Sequence, residues 1–278
     1  MMKLRQKVFA WILSCLILCS AFGCATVPFT GRKQLVLIPY VELRTLSYDN
    51  YRTILSKAKL SLDGHKTRLV RDVGRNISYA AEKFLYEAGK GDLVHQFDWE
   101  FTLIEDDNTV NAFALPGGKV AVYTGILEYT QDEAGLAVVI GHEIAHVIAN
   151  HGGERLSQMM LAQFGHSQLA MALKTKPDTT QQFWMLAYGL GMNLGAILPY
   201  SRLHEKEADR IGLIIMARAG YDPNRAVTFW QKMKEQSKGG RNMLEFLSTH
   251  PAPDTRIEEI RTAIPEAMQY YGRDKENY

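Results

Sequence analysis

His142-Glu143-Ile144-Ala145-His146 places three ionisable groups within one and a half helical turns. On a helix, positions i and i+4 lie about 6 Å apart along the axis and on nearly the same face. Two imidazoles so placed can share one Zn²⁺ at about 2.0–2.1 Å each. Glu143 sits one residue round from the first imidazole, where a carboxylate can act as general base on a water held by the ion. The ion would lower that water's pKa and polarise the carbonyl to be attacked. The flanking Val138, Val139, Ile140, Ile144, Ala145, Val147 and Ile148 are all uncharged, which predicts a buried helix. Chance yields this spacing in on the order of one chain in a hundred. Burying a Glu and two His without partners would be costly, so a metal centre is expected rather than satisfied core histidines.

Two ligands do not close a site. On a continuing helix His151 points about 140° away from His146, and Glu154 lies about 12 Å further along the axis. Ala149 and Gly152 break the longer pattern in which a glycine and a third histidine follow on the same segment. The missing ligand is therefore expected from another segment, and His204-Glu-Lys-Glu-Ala-Asp209 is the candidate. Glu205 and Asp209 are i and i+4, so a ligand and a carboxylate that hydrogen-bonds a ligand imidazole can share a face. Glu207 points nearly opposite and is expected to be solvated or salt-bridged. Spacing alone leaves Glu205, His204 and Glu207 open.

The elements that must position these groups follow from periodicity. Helices are expected over 41–62 and 67–88, with Gly64 between them, and over 132–149, 154–173, 180–197, 202–219, 223–238 and 254–264. Strands are expected over 97–104, 110–115 and 119–123, the last two joined by Pro116-Gly117-Gly118, which predicts a small antiparallel sheet. The apolar, Met- and Gly-rich stretch from Gln163 to Tyr200 is expected to pack, with a lid over the cleft as the other reading. Lys174, Lys176 and Asp178 interrupt it, so it should not span a membrane.

The first residues read as an export signal. Lys3, Arg5 and Lys7 precede an apolar run from Val8 to Phe22, too short to span a bilayer as a helix. Ala21-Phe22-Gly23-Cys24 resembles a bacterial lipobox, with Ala21 where that pattern prefers Leu. Cys15 and Cys19 would leave with the signal and Cys24 would become the acylated first residue. No disulfide could then form. Ala25 resembles the sorting pattern for the outer membrane. Residues 1–23 are thus expected as signal, 24–40 as lipidated Cys and tether, and 41–278 as one domain. The formal net charge of +2 argues against a polyanionic partner, nucleic acid included.

H-E-I-A-H followed some sixty residues later by Y-S-R-L-H-E-K-E-A-D-R-I-G resembles the HtpX-like and CAAX prenyl protease-like zinc metallopeptidases, metallopeptidase family forty-eight. Within it the chain is similar to the bacterial lipoprotein and periplasmic branch. C-A-T-V-P-F-T-G-R from Cys24, V-N-A-F-A-L-P-G-G-K from Val110 and S-T-H-P from Ser248 add to the likeness. The resemblance implies an α+β, mainly helical zincin-like (gluzincin) metallopeptidase domain with a small antiparallel sheet. It implies one Zn²⁺ on His142, His146 and Glu205, with Glu143 as base and Asp209 hydrogen-bonded to a ligand. His250 would be a fourth, autoinhibitory ligand or a donor to the developing oxyanion. Val110–Leu115 would hold an extended substrate along the sheet edge, with Asn111 and Ala112 near the cleft. His151, His166 and His204 match no family role and are expected to be structural.

Together these readings point to a lipid-anchored zinc endopeptidase of the bacterial cell envelope, at the periplasmic face of the outer membrane. Its substrates would be misfolded or misassembled envelope proteins. The rival is a chaperone-like or assembly-factor lipoprotein with a latent or structural zinc site.

Overall fold

The structure is a computed structural model that describes residues 24–192, 198–237, 250 and 255–274. The proposed signal, residues 1–23, lies outside them. An antiparallel ribbon, β1 (Cys24–Thr26) and β2 (Lys33–Leu35), leads into α1 (Tyr40–Lys57) and α2 (Gly64–Glu87). Strands β3 (Glu100–Ile104), β4 (Ala112–Leu115) and β5 (Lys119–Tyr123) follow. The rest is helical: α3 (Glu133–Ile148), α4 (His151–Leu173), α5 (Asp178–Met192), α6 (Leu198–Arg218), α7 (Arg225–Ser237) and α8 (Arg256–Met268).

Helix α3 is the centre of the molecule. Asp132 caps it by accepting from the Gly135 N–H at 2.8 Å. Its residues from Gly135 to Ala145 are all buried, as expected of a helix apolar on every side. It packs against α2 and α6, and Leu136, Ile140 and Ile144 are fully buried there. Each such side chain contributes about 1.5–3 kcal/mol on leaving water. Strand β5 is covered on both faces, and its side chains alternate between two clusters. Val120 and Val122 join the helical core, while Ala121 joins Tyr51 and Ile104 under α1.

The mainly helical α+β fold holds, but the sheet is mixed rather than antiparallel. Pro116-Gly117-Gly118 does turn β4 back onto β5, with Gly117 and Gly118 both at φ +94°. The order is β3-β5-β4, and β3 runs parallel to β5. The connection from β3 to β4, pinned by Asp106 accepting from Asn108 and Thr109, leaves a gap between those strands that β5 fills. Strand β4 is consequently an edge.

Residues 24–35, expected as part of a tether, are folded instead. Val27 is buried in the main core and the Phe29 ring stacks on Phe84 of α2 at 3.9 Å. In its described part 163–192 packs as α4 against α5 and not into the main core. The α4 residues found buried are His151, Gly153, Glu154 and Ser157, all in its first two turns. Beyond them α4 pairs with α5, and Met159, Met160, Leu161, Phe164, Met171, Trp184 and Leu186 are exposed. Among the described residues no helix is long and apolar enough to cross a membrane.

Candidate metal centre

His142 and His146 project from one face of α3 toward α6, which supplies Glu205 and Asp209. The two helices meet at a pair of glycines. A Cβ on Gly212 would lie 3.0 Å from the Gly141 carbonyl carbon and from the His142 N, and one on Gly141 would lie 3.1 Å from the Gly212 O. Only residues without side chains allow so close an approach, and it brings the Glu205 carboxylate to the imidazoles. His250 enters from the segment before α8.

The donor atoms converge. Nε2 of His142 and of His146 are 3.0 Å apart. Glu205 Oε2 is 3.2 Å from the first and Oε1 is 3.3 Å from the second. His250 Nδ1 lies 3.1 Å from His142 Nε2 and 3.1 Å from Glu205 Oε2. Bonds of 2.0–2.1 Å to a tetrahedral ion put neighbouring donors about 3.3 Å apart; the separations above approach that value, and one donor atom from each of the four residues lies within 4.8 Å of the others. Oε1 of Glu205 and Oε1 of Glu143 are buried and accept no hydrogen bond among the described residues. A buried acceptor without a well-formed hydrogen bond is costly, and a cation among the donors would remove that cost at Glu205. The four residues form a group able to hold a metal ion.

The partners behind the donors fix their orientation. His142 Nδ1 is 2.9 Å from Asp209 Oδ1, so it carries the proton and leaves Nε2 free to ligate. Asp209 also accepts two 2.8 Å bonds from Arg256, whose guanidinium lies 3.7 Å over the Trp230 ring and 3.2 Å from Glu205. Burial would raise the Asp209 carboxyl, but Arg256 and His142 hold it below the ordinary value. Burial opposes ionisation of Glu205 as well, and the two imidazoles overcome it. Glu143 is the exception, raised because burial outweighs the nearby histidines. Its Oε2 accepts from the Ala114 N–H of β4 at 3.0 Å, and its Oε1 is 3.2 Å from His250 Nε2.

Of the three residues left open by spacing, the structure brings Glu205 to the two imidazoles. His204 pairs instead with Glu154. Glu207 is salt-bridged but buried, at 3.0 Å from His151 and 2.8 Å from Arg32. The histidine excluded by helical geometry returns in another role. The helix does break: Asn150 adopts φ +52°, a left-handed conformation that Asn tolerates, and α4 starts afresh. The break carries His151 Nδ1 to 2.8 Å from His146 Nδ1, behind that imidazole rather than among the converging donor atoms. Burial lowers the His151 pKa to about 4, so the ring is neutral. Asn111 and Ala112 are buried, and the hydrogen bond from β4 to the cluster comes at Ala114. Ser248, Thr249 and Pro251 of the S-T-H-P match lie outside the described residues. Cys24 is the first described residue, at the start of β1. Sequence reasoning missed Arg256, Ala114 and the Gly141–Gly212 contact. Of these only the paired glycines, one beside each metal motif, left a signal.

Comparison with known proteins agrees with this geometry. The family model "Peptidase family M48" matches residues 75–264. The mitochondrial metalloendopeptidase OMA1 of Schizosaccharomyces pombe is 34% identical over 270 residues, covering 95% of this chain and 74% of that protein. The human mitochondrial metalloendopeptidase OMA1 is 31% identical, covering 87% of this chain and 46% of its own length. The β-barrel assembly-enhancing protease of Escherichia coli is 31% identical over 187 residues, 65% of this chain and 37% of that protein. The chain therefore spans half or less of two of these three relatives. The expected location at a bacterial cell envelope is corrected by these matches. The relatives aligned over most of the chain are mitochondrial proteins of fungi and animals, and a plant one matches over a shorter stretch. The narrower bacterial branch is only partly supported for the same reason. The wider family is shown by the extent of the match, inside which the group able to hold a metal lies: the chain belongs to peptidase family M48 and is a metalloendopeptidase.

Proposed function

We propose that this metalloendopeptidase uses zinc, held by His142, His146 and Glu205, to cleave extended segments of unfolded or misassembled proteins. The observation that carries the reading is the convergence of donor atoms of those three residues within reach of one ion, with the Glu143 carboxylate beside them. Nitrogen and carboxylate donors in this geometry suit zinc. When bound, zinc supplies Lewis-acid polarisation of a carbonyl and a lowered pKa for water. Glu143 takes the proton from the attacking water and delivers it to the leaving amine, which its raised pKa favours. Asp209 keeps the proton of His142 on Nδ1.

Strand β4 supports an extended substrate. As an edge it can accept another strand. Its Ala112 and Ala114 N–H groups point away from β5 and are taken by side-chain acceptors, Asn111 Oδ1 at 2.9 Å and Glu143 Oε2 at 3.0 Å. A substrate carbonyl can replace such acceptors. A relative named for enhancing β-barrel assembly favours substrates that have failed to assemble. The test is cleavage of unfolded casein and zinc content for the full chain. Glu143→Gln should keep its zinc and lose cleavage, and full cleavage by that variant would sink the mechanism.

A second reading rests on His250. With Nδ1 among the donor atoms and Nε2 at Glu143, it would compete with the water and the base. The site would then be latent until His250 withdraws, and the chain would act as a binding factor in that state.

A further inference from the structure

Behind His146 a line of buried polar groups runs to the N-terminal ribbon. His146 Nδ1 faces His151 Nδ1 at 2.8 Å, and His151 Nε2 faces Glu207 Oε2 at 3.0 Å. Arg32 Nε donates to the same oxygen at 2.8 Å, and Thr30 Oγ1 donates to the other. The two terminal nitrogens of Arg32 fork onto Glu154 at 3.0 and 2.7 Å, and Glu154 also takes His204 Nε2 at 3.0 Å. The His204 ring stacks on His151 at 4.3 Å.

With one proton on each imidazole, the hydrogen-bonding roles along this line follow from its acceptor end. Glu207 can only accept, so His151 carries its proton on Nε2. Its Nδ1 is then an acceptor, and His146 must donate from Nδ1. That leaves His146 Nε2 unprotonated and aimed at Glu205 and His142, as a ligand must be. Arg32 completes the arrangement because a planar fork reaches both carboxylates at once, which a point charge cannot do. The ribbon's turn is held in place at a strained residue. Phe29 has φ +72°, rare for a bulky side chain, and is kept there by its stack on Phe84.

Resting on the reading of His146 as a metal ligand, we infer that Arg32, Glu207 and His151 form a positioning relay that sets the tautomer and orientation of His146. The N-terminal ribbon is thereby part of the metal centre. The general effect of removing a hydrogen-bond partner behind a ligand histidine is a loss of about 10–100-fold in metal affinity.

The test is zinc affinity of the full chain, measured by competition with a chromogenic chelator, with visible spectra of the cobalt-loaded protein as second readout. His151→Ala, Glu207→Gln and Arg32→Ala should each weaken zinc binding by about tenfold or more. His151→Ala should also shift the cobalt bands at saturation. Arg32→Lys should restore only part of the loss. Melting of the metal-free proteins separates this from unfolding, and if Arg32→Ala or His151→Ala fails to fold, the near-isosteric Glu207→Gln decides. Unchanged zinc affinity in the folded relay variants, with zinc lost in His146→Ala, overturns the relay alone. Zinc retained in His146→Ala overturns the ligand reading beneath it.

Discussion

The Ala114 N–H of the edge strand donates to Oε2 of Glu143 at 3.0 Å. One backbone group therefore touches both halves of the proposed reaction, the carboxylate that moves the proton and the strand edge that receives the substrate. Because this N–H points away from β5, removing it breaks no bond of the sheet. Ala114→Pro should leave the fold intact, since proline is tolerated on edge strands. Casein cleavage should fall by roughly 10–100-fold, the effect of losing a hydrogen bond to a charged group. Ala114→Gly, which keeps the N–H, should cleave near the parent rate. Equal rates for the two variants would remove Ala114 from the mechanism.

His250 separates latency from catalysis. Its Nδ1 shares the donor cluster and its Nε2 lies 3.2 Å from Glu143. His250→Ala should retain zinc, because three ligands remain, and should raise the rate of casein cleavage if His250 is the fourth ligand of a closed state. A loss of rate with zinc content unchanged would assign it to the oxyanion instead.

How much of this was legible in the sequence depends on the range of the signal. The His142–His146 face and its apolar flanks are local, and helical periodicity reveals them. Glu205 and Asp209 share a face for the same reason, and the motif resemblance picked Glu205 out of its neighbours. The role of His151 depended on one backbone angle at Asn150, which no periodicity encodes. Arg32, Glu207 and Glu154 meet across more than a hundred residues of chain, so each alone reads as a surface charge. The parallel β3–β5 pairing was hidden because alternation marks a strand without naming its neighbour. The location was misread because a leader and one cysteine were given more weight than the domain itself.

Asp209 tests the other side of the cluster. It accepts from His142 at 2.9 Å and from Arg256 at 2.8 Å. Asp209→Asn keeps the shape but removes the charge that Arg256 faces. Zinc affinity should fall by about 10–100-fold. Arg256→Ala should weaken it as well, and the double variant should lose less than the two effects added, because both act through one network. Additive losses in titrations against a chelator would show that Arg256 acts separately on Glu205.

The glycine contact between α3 and α6 sets the distance on which the cluster depends. A Cβ at Gly212 would meet the backbone of Gly141 and His142 at 3.0 Å, and backbone atoms cannot swing aside as a side chain would. Gly212→Ala should therefore push the helices apart and destabilise the protein by about 1–3 kcal/mol, the usual cost of overpacking. Separation also draws Glu205 away from both imidazoles, so zinc affinity should drop by more than the stability change explains. Gly64 is the control: it opens α2 and a Cβ there meets nothing within 4 Å. Gly64→Ala should shift stability by no more than about 0.5 kcal/mol and leave zinc binding untouched. Thermal melts of the metal-free proteins with chelator titrations of all three would decide it. A Gly212→Ala protein as stable and as tight for zinc as its parent would show that the helix approach does not set the metal geometry.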